Sequence, residues 1–110
     1  MVITWEDFEK IEIRTGTILE VTDFLKAKKP AYQLIIDFGE YGIKKSSAQI
    51  TMHYLKKDLL NRQIIAVINF PPKKIADFMS ECLVLGVYDE NNYVVLLSAE
   101  RDVKNGSRIG

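Results

Sequence analysis

IKKSSAQITMHYLKKDLLNRQIIAVINF, residues 43–70, changes its hydrophobic period twice. Residues 43–50 carry Lys44, Lys45, Ser46, Ser47 and Gln49 where an interior strand would place valine, so they read as a polar strand. Residues 54–60 set Leu55, Leu59 and Leu60 at helical spacing, about two turns with those leucines expected inward. Residues 63–70 run almost wholly apolar and read as a buried strand. That strand is expected to end at Phe70, because Pro71 and Pro72 have no N–H for a sheet ladder. Lys73 and Lys74 are then expected on a loop, with Ile75 and Phe78 packing back against the strands.

Upstream, residues 13–22 are rich in β-branched side chains, and Gly16 is expected at a bulge or tight bend. Residues 31–38 alternate, so Tyr32, Leu34, Ile36 and Phe38 share one face, and residues 39–42 predict a hairpin turn. Downstream, residues 82–88 and 93–97 are two more strands, and Asn105-Gly106 marks a last turn. Thr4 with Asp7 three residues later predicts a capped helix over residues 5–10, carrying Trp5, Phe8 and Ile11 at three-residue spacing. Six strand candidates lie between residues 13 and 97, with one short helix after the third. That order predicts an all-β fold, a five-stranded Greek-key barrel of the OB type with short extensions at both ends. Residues 1–110 are expected to form a single domain, with the barrel over about residues 13–97.

The chain has no net charge, yet its charge is segregated. Between Lys26 and Lys74 ten basic residues face three acids, a net +7, and the two flanks carry −7. The basic middle suits an anionic partner, or serves as a solvated edge protected by lysines. The first residues show neither a basic nor an apolar signal region, and no apolar run approaches the roughly 18 residues of a membrane span. Cys82 is the sole cysteine. A reducing, cytoplasmic setting without membrane insertion is the expectation.

Catalysis is not expected. His53 is the only histidine, and with one cysteine it cannot complete a zinc site. Cys82 opens an apolar strand and reads as a small buried hydrophobe. Ser46, Ser47 and Ser80 lack a glycine-flanked elbow, and no phosphate-binding glycine loop occurs, so neither a metal nor a cofactor is expected. What remains is a binding surface. Lys44, Lys45, Ser46, Ser47 and Gln49 supply hydrogen-bonding groups, and residues 69–81 bring Asn69, Phe70, Lys73, Lys74, Phe78, Ser80 and Glu81 to a proline-broken corner. If Ala48 and Ile50 point inward, then Lys45, Ser47 and Gln49 point to solvent. Aromatics beside lysines suit single-stranded nucleic acid. Apolar pockets rimmed by charge equally suit an unfolded polypeptide, and the residues alone leave both open.

Several segments resemble the EMAP-II-like tRNA-binding domain, an OB-fold domain appended to methionyl- and phenylalanyl-tRNA synthetases. They are Arg14-Thr15-Gly16-Thr17-Ile18, Pro30-Ala31-Tyr32-Gln33-Leu34, Ile36-Asp37-Phe38-Gly39, Asn69-Phe70-Pro71-Pro72-Lys73 and Ser80-Glu81. Within that family, FEKIEIRTGTI, PAYQLIIDFG, GIKKSSAQIT, RQIIAVINFPPK and SECLVLG are similar to its small free-standing branch of secretion-related chaperones. The resemblance implies a homodimer that binds unfolded or presecretory proteins in the cytoplasm, paired through the helix near Trp5 and the stretch after Val94. It also implies tRNA contacts at Asn69, Ser80 and Glu81. Against that second role, Cys82-Leu83 stands where the tRNA-binding pattern has Gly-Met, and Lys29 where it has histidine.

Overall fold

The 11-residue strand β1 (Ile13–Asp23) serves two neighbours in turn. In the computed structural model, which describes residues 1–110, its first half pairs with β4 (Gln63–Val67), setting Thr15 opposite Ile65. Its second half pairs with β2 (Tyr32–Asp37), setting Ile18 opposite Ile36. From β2 a 3-10 turn at Gly39–Tyr41 leads into β3 (Ile43–Ala48). The chain then reaches β4 through α2 (Lys56–Leu59). A hairpin of β5 (Lys73–Ile75) and β6 (Phe78–Ser80) precedes β7 (Leu83–Val84), which pairs with β4. The main sheet is antiparallel in the order β3-β2-β1-β4-β7. The return of β4 to lie beside β1 is a Greek key. This is the expected five-stranded barrel, nearly closed. A second hairpin, β8 (Gly86–Tyr88) with β9 (Val94–Leu96), follows it, and α1 (Trp5–Glu9) precedes it.

Alternation in β2 fills the barrel. Tyr32, Leu34 and Ile36 are buried together with Ile18, Ile64 and Ala66 in one cluster around Phe38. Burying a ring of that size stabilises by about 1.5–3 kcal/mol. Gly16 makes room for it: a Cβ there would lie 2.6 Å from the Phe38 ring and 2.8 Å from Ile36. The expected bulge at Gly16 is therefore not found. Pairing with β4 runs unbroken through Gly16, and the irregularity in β1 falls between Ile18 and Glu20.

Other expectations shift for physical reasons. The apolar run at 63–70 stays in the sheet only to Val67. Beyond it, Ile68 N donates to Glu12 O at 2.9 Å, and the Asn69 amide bonds both Glu12 N (2.9 Å) and Lys10 O (2.7 Å). Those residues fasten the segment after α1 before the prolines intervene. In α2, four residues long, only Leu59 is buried; Leu55 and Leu60 cap its two ends and are exposed, because so short a helix turns one face inward. Lys73 and Lys74 lie in strand β5 rather than a loop, and the run 82–88 divides into β7 and β8. Residues 106–109 align with the part of β1 that β2 leaves uncovered. Gly106 N donates to Thr15 O (2.8 Å), Thr15 N to Ser107 O (3.1 Å) and Ile109 N to Ile13 O (3.0 Å). Gly106 has φ +87, and a Cβ on it would meet Phe38 O at 2.7 Å, so the expected Asn-Gly turn is locked against the core.

Replacing Gly16 with alanine should overpack the Phe38 ring and cost about 1–3 kcal/mol. Urea unfolding should show a lower midpoint at unchanged slope; an unaltered midpoint would contradict the packing role.

Candidate functional site

β3 is an edge strand, and side chains close the barrel against it. Glu81 N donates to Lys45 O at 2.8 Å, and the Glu81 carboxylate accepts from Lys45 N at 2.9 Å. Next along, the Ser80 hydroxyl accepts from Ser47 N at 3.1 Å. From inside, the fully buried Ser46 hydroxyl donates to Cys82 O at 3.0 Å. Leaving such backbone groups unpaired in a partly buried seam costs about 1–3 kcal/mol each. Cys82 lies behind this seam. Burial pushes its thiol up to about 11, so it stays protonated and unreactive at neutral pH.

Past the seam β3 parts from β6, and a groove of about 920 Å³ opens. Ser47 and Gln49 line it on the β3 side, and Phe70, Pro71, Pro72, Lys73 and Lys74 line it from the corner. Tyr88 and Val94, a cross-strand pair of the β8–β9 hairpin, add apolar surface. Phe70 is 54% exposed and Tyr88 75%, so the apolar lining is open to a ligand. Lys73 and Lys74 are exposed and neither makes an ion pair. The acids near them are engaged. Asp77 pairs with Lys26 at 2.8 Å, and that hydrogen bond holds its carboxyl below the usual range. Glu81 accepts from Lys45 N. Glu81 keeps its charge in doing so, and the two lysines against this one carboxylate leave the groove's lining with a net positive charge.

Among the residues singled out by sequence, Ser47, Gln49, Phe70, Lys73, Lys74, Ser80 and Glu81 line this groove. Ala48 and Ile50 are buried, which turns Lys45, Ser47 and Gln49 to the other face. Lys45 nonetheless stands apart, with Nζ 5.4 Å from the centre of the Phe78 ring, itself 5.4 Å from Phe24. Lys44 is half-buried on the parity of Ser46 and Ala48, opposite Ile36. Ser46 is wholly enclosed, and Asn69 is occupied by the segment after α1. Ser80 and Glu81 have a structural duty in the seam as well as a place in the groove.

Tyr88 and Val94 were not anticipated from the sequence. The signal was there: a tight turn at 89–92 between two apolar runs pairs these residues across it. A further tie holds their hairpin. His53 Nε2 lies 2.6 Å from Asp89 Oδ2, and Leu96 N donates to the Tyr54 hydroxyl at 2.9 Å. The Asp89 carboxyl is held below its ordinary range, first by the Tyr93 backbone N–H and then by His53. No group of three His, Cys, Asp or Glu side chains is arranged to hold a metal ion. No helix is long and apolar enough to cross a membrane.

Removing the seam acceptors tests the closure. Ser80→Ala and Glu81→Leu should each lower stability by about 1–3 kcal/mol. Amide exchange should accelerate at Ser47 in the first variant and at Lys45 in the second; protection unchanged at both would refute the side-chain seam.

Residues 13–108 match the family described as "Putative tRNA binding domain". The crystal structure of the CsaA chaperone protein from Picrophilus torridus is 53% identical, with TM-score 0.93 over 99% of this chain and 100% of that one. Chaperone CsaA from Bacillus anthracis str. Ames is 47% identical, with TM-score 0.94 over the whole of both chains. The methionine–tRNA ligase of Thermococcus onnurineus is 36% identical over 107 residues. Those residues are 97% of this chain but only 14% of that ligase. The shared part is the tRNA-binding domain and not a catalytic domain.

Proposed function

The chain belongs to the tRNA-binding-domain family, and within it we propose a molecular chaperone that holds unfolded or presecretory polypeptide segments in the groove to assist their export. The observation that carries this reading is the groove's make-up: exposed Phe70 and Tyr88 beside Lys73 and Lys74, two lysines without an acidic partner. Apolar side chains of an unfolded client bury against the aromatics, which is favourable whatever the surrounding sequence. The lysines favour clients that are neutral or acidic near the apolar residues. The likeness to two chaperones at about half identity supports the same conclusion. No catalytic step is assigned to the chain, and its place of action is the cytoplasm.

The second reading, a tRNA-binding module, is favoured by the family description and by exposed Lys28 and Lys29 in the loop between β1 and β2. The two differ in their response to salt. RNA held by several lysines releases counterions, so affinity falls steeply as salt rises. Apolar contact with a peptide is not screened in this way.

Two copies are proposed to pair through their terminal segments. α1 has no buried residue; Trp5 is 82% exposed, and Met1, Val2 and Ile3 before it are exposed too. On the β8–β9 hairpin, Val87 and Val95 form an exposed cross-strand pair. Apolar surface on both segments suits a partner of the same kind. A dimer presents two grooves to one client, and the second contact gains from effective concentration.

Charge reversal at Lys73 and Lys74 together should weaken binding of an acidic unfolded, labelled client about tenfold, through the repulsion it introduces, without changing the unfolding midpoint. Unchanged client affinity, or a steep salt dependence with tRNA bound in its place, would reject the chaperone assignment. Trp5→Asp should yield a monomer in sedimentation at micromolar concentration, and a variant still dimeric would remove α1 from the interface.

A further inference from the structure

The backbone along the groove shows how a client would be held. β3 presents two edges, one bonded to β2 and one turned outward. Lys45 N and O both use the outward edge, toward Glu81. Strand periodicity turns the groups of Ser47 the same way, and Gln49 follows just past the end of β3. Ser47 N is met by the Ser80 hydroxyl. Gln49 N and O take part in no hydrogen bond within the protein, and Gln49 is exposed. Across the groove stand Pro71 and Pro72, which lack the N–H needed to pair with β3. The prolines thus keep the corner from closing on β3 and leave a bare strand edge inside the groove.

We infer that the client is bound as an added β-strand along Ser47, on the outward edge of β3, and Gln49, just past its end, with alternate side chains directed at Phe70 and Tyr88. The occupant is an extended polypeptide segment carrying apolar residues at every second position and a carboxylate near the end that reaches Lys73 and Lys74. Main-chain bonds to Ser47 O and Gln49 supply affinity that is independent of client sequence, while the apolar lining sets the side-chain preference. This extends the polypeptide-binding reading and rests on it.

The test uses the full chain and a labelled peptide of about ten residues, some 33 Å when extended, alternating leucine with serine and ending in glutamate. A series carries one N-methylated amide at each successive position. Strand addition predicts that methylation at the two amides, two positions apart, that donate to Ser47 O and Gln49 O weakens binding about tenfold, with the amide between them tolerated. Exchange of the Gln49 amide should slow in the complex. Equal loss at every position, or Gln49 exchange unaffected by bound peptide, overturns strand addition while leaving the groove as the client site. Failure of the unmodified peptide to bind, with tRNA bound instead, overturns both.

Discussion

Five hydrogen bonds between β3 and residues 80–82 hold this molecule in its shape, and side-chain groups take part in four of them. A barrel needs its first and last strands joined, yet the chain that must do so has only three residues in β6 and two in β7. So short a ladder cannot satisfy an edge strand by backbone alone. Ser80 and Glu81 place oxygen atoms where a neighbouring strand would put carbonyls, and Ser46 reaches Cys82 O from within. The closure is local, so the edge of β3 is satisfied through the amide of Ser47 and left bare beyond it. Fold and groove follow from the same shortage of strand.

The groove's charge has a comparable origin. Lysines are common along the middle of the chain, but what counts is which of them lack a partner. Lys26 is neutralised by Asp77, Lys56 by Asp23, and Lys45 lies toward the Phe78 ring. Lys28, Lys29, Lys44 and Lys57 make no ion pair either, but only Lys73 and Lys74 line the groove, held on a short hairpin next to exposed aromatic surface. A pair of cations beside an apolar groove discriminates among clients more than it binds them, because exposed charges contribute little on their own.

Much of the fold was legible in advance. Alternation in 31–38 identified the face of Tyr32, Leu34, Ile36 and Phe38, and all four are buried. The order of three strands, a short helix and further strands matched a five-stranded barrel. Boundaries were less legible where long-range bonds compete with the sheet. The strand read to Phe70 ends at Val67 because Ile68 and Asn69 bond to residues 10–12 instead. Gly16 was read as backbone freedom, but its role is the space that Phe38 occupies. In the site, Lys73, Lys74 and Phe70 were evident from the proline break, whereas Tyr88 and Val94 join them only through the placement of a later hairpin.

By itself, the sequence determined which stretches extend, where prolines forbid pairing, and that a cationic corner meets apolar residues. These depend on near neighbours, through strand period, missing N–H groups and local charge. Only the tertiary structure decided that Ser80 and Glu81 close a barrel, that Ser46 is sealed inside, and that Lys45 stands away from the groove. Each of those outcomes depends on residues more than thirty positions apart, as the separation of 36 between Lys45 and Glu81 shows. No local pattern encodes such an approach, because it is set by how β1 curves between two neighbours and brings the ends of the sheet together.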